Sequence, residues 1–186
     1  MSYIDKTLIF EEDKIYYTDE GRTFEVMMNW EDDVMRASAN YICENGGDIL
    51  EIGFGMGMAA NYIQANNISS HTIIEIHPQI IEKAKAWAEN NSNVTIIEND
   101  WYNVKNSLSI YDGVFYDTWM DSNADNFTTV LPTLMKPGGK ATWWNNFTDK
   151  DDAKYINGTT YETISVNPVD NMYFFSDTYY LPKKQF

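Results

Sequence analysis

Two features of this chain join residue types to a spacing that chemistry can use. One is the stretch Glu51-Ile52-Gly53-Phe54-Gly55-Met56-Gly57; the other is a pair of acids far apart in sequence, Glu31 in NWEDDVM and Asp117 in GVFYDTW. In the first, three glycines at alternate positions allow a tight strand-to-helix turn and a close approach of backbone to a ligand. A dinucleotide fingerprint wants G-x-G-x-x-G or A. Here the third glycine arrives one residue early and Met58 holds the expected place, so the spacing argues for a different nucleotide.

Further along, Glu75 ends a β-rich run at about the distance where a carboxylate meets ribose hydroxyls. Asp100 and Trp101 follow the next such run, where an acid or a backbone amide meets an adenine amino group and an indole flanks the ring. Each has a plainer reading: a solvated acid for Glu75, a core side chain for Trp101. If Glu31 and Asp117 face one volume, they suit a guanidinium, which is planar, rich in N–H donors and always charged in water. Paired carboxylates grip it by charge-assisted hydrogen bonds, aim one nitrogen, and take the proton that nitrogen sheds on forming a new bond. The plainer readings are a first-turn dipole partner for Glu31 and a helix cap for Asp117.

The elements that must position these residues alternate from position 48 onward. Strand-like runs fall at 48–52, 72–76, 94–98, 113–116 and 141–144, and helical runs at 58–64, 79–89, 104–108 and 126–135. That order predicts an α/β fold with a mostly parallel sheet and helices on both faces. The runs 159–167 and 172–181, with NPVDN between them, predict an antiparallel hairpin at the sheet edge. Ahead of the first strand, Val34, Met35, Ala39 and Ile42 have helical spacing, with Asn29 as cap, Glu31, Asp32 and Asp33 in the first turn, and Gly46 and Gly47 as the stop. The expected organisation is a single domain, 1–186, made of an arm (1–22), a lid or substrate helix (23–46) and a Rossmann-like core (47–186).

The chain holds 13 Lys and Arg against 28 Asp and Glu, a net charge of -15. Such a surface repels nucleic-acid phosphates and anionic lipid, so neither nucleic acid nor membrane is an expected partner, and a cationic ligand suits it better. One cysteine, Cys43, and two histidines give no basis for a disulfide or a metal site. The opening MSYIDKTLIFEED has no basic or apolar leader, so a cytoplasmic protein is expected. Oligomeric state has no signature in the sequence.

The form E-x-G-x-G-x-G resembles the nucleotide turn of S-adenosylmethionine-dependent methyltransferases. LMKPGG, a Pro-Gly-Gly turn ahead of a strand, is a common mark of the same class I fold. The stretches VMMNWEDDVM, ILEIGFGMGMAA, HTIIEIHP, DGVFYDTW and LMKPGG together resemble the guanidinoacetate N-methyltransferases and the fungal protein arginine δ-N-methyltransferases, over roughly 26–145. The resemblance implies a Rossmann-like methyltransferase with S-adenosyl-L-methionine as donor and S-adenosyl-L-homocysteine as product. It implies a donor site of Met27, Met35, Glu51, Gly53, Phe54, Gly55, Met56, Gly57, Met58, Glu75, Ile76, His77, Asn99, Asp100 and Asp117, beside Trp101. It also implies that Glu31 and Asp117 grip the substrate, Asp117 taking the proton, with Thr148 a remnant of a contact to a substrate carboxylate.

The expected acceptor is a small guanidino compound such as guanidinoacetate. An arginine-containing peptide is the alternative, and a non-catalytic donor-binding subunit is a third reading. The region after the fifth strand is shorter than in the guanidinoacetate enzymes, and Lys150, Lys154 and Arg22 meet a substrate carboxylate only by location.

Overall fold

The computed structural model describes residues 2–146 and 156–186. It begins with a small antiparallel sheet of β1 (Ile9–Phe10), β2 (Lys14–Asp19) and β3 (Arg22–Met28). Glu20 and Gly21, at φ 49° and 77°, make the two-residue turn between β2 and β3. Inward-facing Ile15 and Tyr17 are buried. The segment expected to open a lid helix at 23 therefore starts as a strand, and the helix α1 runs Asp32–Cys43. Asn29 does not cap it: Asn29–Glu31 is a 3-10 turn, and Glu31 is the flanking residue.

The main sheet is built from β4 (Asp48–Ile52), β5 (Ser70–Glu75), β6 (Val94–Glu98), β7 (Tyr111–Tyr116), β8 (Met135–Trp143), β9 (Thr160–Ser165) and β10 (Thr178–Gln185). Its order is β6-β5-β4-β7-β8-β10-β9. The first five are parallel, while β10 runs antiparallel to β8 and β9 antiparallel to β10. The crossovers carry α2 (Met58–Gln64), α3 (Pro78–Ala88), α4 (Trp101–Val104) and α5 (Phe127–Val130). The α/β architecture with a terminal antiparallel hairpin is as expected.

Both sheet faces are covered, so β4, β5 and β7 are buried along nearly their whole length. On one face Ile49 and Phe115 pack against Val34, Met35, Ala39 and Ile42 of α1 and Ile63 of α2. On the other, Leu50, Ile52, Val114 and Tyr116 pack against Phe127, Leu131 and Leu134. Each such side chain contributes about 1.5–3 kcal/mol by leaving water.

Three expectations need correction. The helix expected over 126–135 is short 3-10 turns around α5, because Pro132 interrupts it. The Pro-Gly-Gly stretch does not precede a strand but lies inside β8, where the pairing with β7 shifts register and Gly138 has φ 81°. The second hairpin strand starts at 178 rather than 172, leaving residues 166–177 as a long connection. No helix among the described residues is long and apolar enough to cross a membrane.

Candidate active site at the carboxyl edge of the sheet

Register brings the carboxyl ends of the parallel strands together: Ile52 stands beside Ile74 and Tyr116, Glu75 beside Glu98, and Tyr116 beside Trp143. Ligands of open α/β sheets bind outside this edge. The glycine turn follows β4 directly. Gly53 has φ 93°, and a Cβ there would lie 1.8 Å from the Asp117 carbonyl oxygen, so only glycine lets the loops after β4 and β7 touch. The Asp117 amide in turn donates to Ile52 O at 2.9 Å.

Glu75 ties the turn to the next strand. Its Oε2 accepts the Phe54 amide at 2.9 Å, and its Oε1 accepts the amides of Ile76 and His77 at 2.8 and 2.9 Å. A carboxylate has about four lone-pair sites, so one remains for a further donor. Just before the turn, Glu51 is buried, with Oε2 at ion-pair distance, 2.8 Å, from His71 Nε2; neither carboxylate oxygen has a well-aligned hydrogen bond, and Oε1 has no partner at all. Met27 reaches over from β3, its sulfur 3.2 Å from the Met56 amide.

Opposite the turn stand the two acids. Glu31 is buried; its Oε1 accepts the Met28 amide at 2.8 Å and the Tyr173 hydroxyl at 2.5 Å. Burial first, and the neighbouring Asp117 second, push the Glu31 carboxyl up to about 8, while the bonds from Tyr173 and Met28 oppose the shift. Aromatic side chains wall this end: Trp30 stacks on Tyr173 at 5.8 Å, and Trp119 meets Tyr173 edge-on at the same separation.

One cleft, with about 1210 Å³ of space between atoms when its open mouth is included, is lined by both groups. Of the residues expected in the site it takes Glu31, Asp117, Met27, Met35, Glu51, Gly53, Phe54, Gly55, Glu75, Ile76, Asn99, Asp100 and Trp101. Met56, Gly57, Met58 and His77 do not line it. Met58 opens α2 and Gly57 precedes it, shaping the turn from behind. His77 instead caps α3, its Nδ1 accepting the Gln79 amide at 3.3 Å and its Nε2 lying 3.1 Å from Lys6 O. Burial lowers its proton affinity, which suits that neutral role.

Asp100 caps α4 through Tyr102 N and accepts Asn123 Nδ2 at 3.0 Å. Trp101 is a core side chain as well as a lining one, packed edge-on against Tyr116 and Phe127 and donating to Asp121 at 2.6 Å. Thr148, Lys150 and Lys154 lie outside the described residues, and Arg22 is exposed away from the cleft.

Sequence reasoning missed Tyr3, Trp119, Asp121, Trp144 and Tyr173, all of which line the cleft. The aromatic run Tyr173-Phe174-Phe175 after NPVDN was the available signal for the last of them. Six carboxylates line the cleft, Glu31, Glu51, Glu75, Asp100, Asp117 and Asp121, and among the described lining residues there is no lysine, arginine or histidine.

Known proteins share the sequence pattern and the fold. The sequence pattern of the family described as guanidinoacetate N-methyltransferase matches residues 14–164. Protein arginine N-methyltransferase 2 of Aspergillus oryzae is 31% identical over 173 residues, covering 88% of this chain and 40% of that protein. The same-named protein of Saccharomyces cerevisiae is 33% identical over 159 residues, covering 78% and 36%, and that of Kluyveromyces lactis is 29% identical over 219 residues, covering 100% and 51%. The chain thus spans about half, or less, of the length of these relatives.

Among solved structures, spermidine synthase from Thermotoga maritima superposes with a TM-score of 0.67 at 11% identity, over 96% of this chain and 72% of that one. N-methyltransferase NodS from Bradyrhizobium japonicum, in complex with S-adenosyl-L-homocysteine, superposes with a TM-score of 0.62 at 12% identity, over 84% and 87%. These two likenesses speak to the fold. With the family pattern spanning β2 to β9, the chain belongs to the guanidinoacetate N-methyltransferase family of S-adenosylmethionine-dependent methyltransferases.

Proposed function

We propose that this chain is one methyltransferase domain that transfers a methyl group from S-adenosylmethionine to a guanidino nitrogen of an arginine side chain carried on a peptide. The residues present fit the donor. The turn at Gly53 and Gly55 gives close backbone approach, and Glu51 Oε1 is a buried acceptor in the cleft with nothing to accept. Met27, Phe54, Glu75, Ile76, Asn99, Asp100 and Trp101 complete a wall for it. When bound, the donor supplies a methyl group activated by a sulfonium.

The observation that carries the reading is the buried Glu31 facing the same cleft as Asp117, with aromatic walls beside them. Two like charges in one dry pocket repel, and a planar cation between them relieves that repulsion while receiving paired hydrogen bonds. Glu31, fixed by Tyr173 and Met28, orients the guanidinium. Asp117 accepts the proton that the attacking nitrogen sheds as it gains the methyl group, then releases it to water. Both carboxylates also offset the repulsion between two cations brought together for reaction.

The six lining carboxylates favour an acceptor that carries no carboxylate of its own. Guanidinoacetate brings its own carboxylate into that field, whereas a peptide-borne arginine brings only its cation. The names of the relatives favour the same acceptor, so arginine replaces the small-molecule expectation as the leading reading. The test is methyl transfer from S-adenosylmethionine, read by mass spectrometry, to an arginine-containing peptide and to guanidinoacetate in parallel. A peptide kcat/KM well above that for guanidinoacetate is expected. Transfer to guanidinoacetate alone would return the small-molecule reading, and transfer to neither would remove the guanidino assignment.

A further inference from the structure

Next to Glu51, on the neighbouring strand, stands a buried histidine that the proposed reaction has not used. His71, on β5, and Glu51, on β4, sit on the same sheet face: Ile49 pairs with His71 and Glu51 with Ile73, which makes the two diagonal neighbours. Both are buried, at 0% and 1% exposure, and Nε2 stands 2.8 Å from Oε2. On the other side of the ring, Gln64 Nε2 lies 3.3 Å from Nδ1. An amide nitrogen only donates, so with the amide placed this way Nδ1 accepts and the ring proton is on Nε2, beside the carboxylate.

The far oxygen, Glu51 Oε1, belongs to a residue lining the cleft and has no hydrogen-bond partner. A buried carboxylate oxygen left unsatisfied is costly, and the groups that repair it are cations and strong donors. Burial pushes the Glu51 carboxyl up and His71 opposes that, while the Cys43 thiol, pushed up to about 12 by burial and by Glu51, stays neutral and adds no second negative charge. Glu51 stands on β4 just before the glycine turn, so it enters the cleft from the strand that carries that turn.

We propose that His71 is a positioning residue that holds Glu51 as a carboxylate with Oε1 left to accept from a bound ligand, so that Glu51 seats the ammonium of the amino-acid part of the methyl donor. This rests on the donor reading given above and adds to it a residue that never touches ligand. It follows that His71 should matter only for ligands that carry the ammonium. S-adenosylhomocysteine has the nucleoside, the thioether and the amino-acid head, ammonium and carboxylate; 5′-methylthioadenosine has the first two alone.

The experiment is calorimetric titration of the wild type and of His71→Leu, His71→Asn and Glu51→Gln with both compounds, with thermal melts to establish folding. Each variant is expected to weaken S-adenosylhomocysteine about tenfold or more, the scale of a lost charge-assisted contact, and to leave 5′-methylthioadenosine within about twofold. Should His71→Leu not fold, His71→Asn, polar but too short to reach Glu51, carries the same comparison. Equal weakening of both compounds, or none, in folded His71 variants overturns the role of His71 alone. Failure of the wild type to bind S-adenosylhomocysteine overturns the donor reading and this inference with it.

Discussion

Tyr173 donates its hydroxyl to Glu31 Oε1 at 2.5 Å, joining two residues 142 positions apart. The Met28 amide meets the same oxygen, so Oε2 is the one these bonds do not engage. The bond holds down the proton affinity that burial and Asp117 raise. Tyr173→Phe keeps the ring against Trp30 and Trp119 but removes this donor. Its kcat/KM should fall about tenfold at neutral pH, and the activity profile should move to higher pH because Glu31 then ionises later. A profile unmoved from the wild type would mean that Tyr173 acts by packing only.

Binding should release a proton. In the free cleft the Glu31–Asp117 pair retains one up to about pH 8, and a guanidinium between the two carboxylates favours both charges. At pH 7, heats of peptide binding in buffers of different ionisation enthalpy should differ accordingly, and the difference should fade above about pH 9. Equal heats at pH 7 would show the pair already ionised.

The same shift has a sign for stability. With Glu31 raised from 4.5 to about 8, the folded chain binds more protons than the unfolded one in that window. Stability from this group is therefore greatest below about pH 4.5 and is lost as pH rises toward 8. Glu31→Gln removes the repulsion, so its Tm should exceed that of the wild type by a few degrees at pH 8 and approach it at pH 5. The variant should bind guanidine poorly. A lower Tm at both pH values would mean that Gln cannot replace the carboxyl toward Met28 and Tyr173.

Asp117→Asn keeps the shape and loses the proton acceptor. Turnover should drop by about 10² to 10⁴, with S-adenosylhomocysteine affinity changed only a few-fold. Near-normal turnover would move the proton to another group, and a selective loss of S-adenosylhomocysteine would place Asp117 with the donor.

Gly53→Ala puts a methyl group 1.8 Å from a carbonyl oxygen at φ 93° and should cost on the order of 3 kcal/mol or more in urea unfolding. Gly21→Ala, at φ 77° with nothing within 4 Å, should cost only about 1 kcal/mol. Equal losses would mean that the backbone angle, and not the touch between loops, makes glycine necessary at 53.

Legibility in the sequence follows local pattern. β4, α2 and β6 have the bounds expected of them, because the strands are short runs rich in β-branched residues, with polar residues at or near their ends, and the glycines mark the turn between the first two. Glu31 and Asp117 are visible as acids at element ends, though only folding shows that they share a cleft. Tyr173 is flagged in the sequence only by its aromatic run, since it sits in the irregular stretch 166–177, where no period says which way a side chain points. His77 misleads for the opposite reason: it stands in the right motif, but its ring is taken by capping α3 and by Lys6 O. The antiparallel sheet of β1 to β3 is only weakly patterned, because its short strands gain their meaning from packing over the main core.

The strand order carries a consequence for synthesis. β10 lies between β8 and β9, so the ribosome releases both neighbours before the strand that must separate them. Until it arrives β8 has an open edge and, among the described residues, β9 has no strand to pair with. A nascent chain halted in 166–177 would therefore present two raw edges suited to chaperones or to aggregation, while its glycine turn is already complete. Chains cut short there should disappear by quality control before they can act as half-built enzymes.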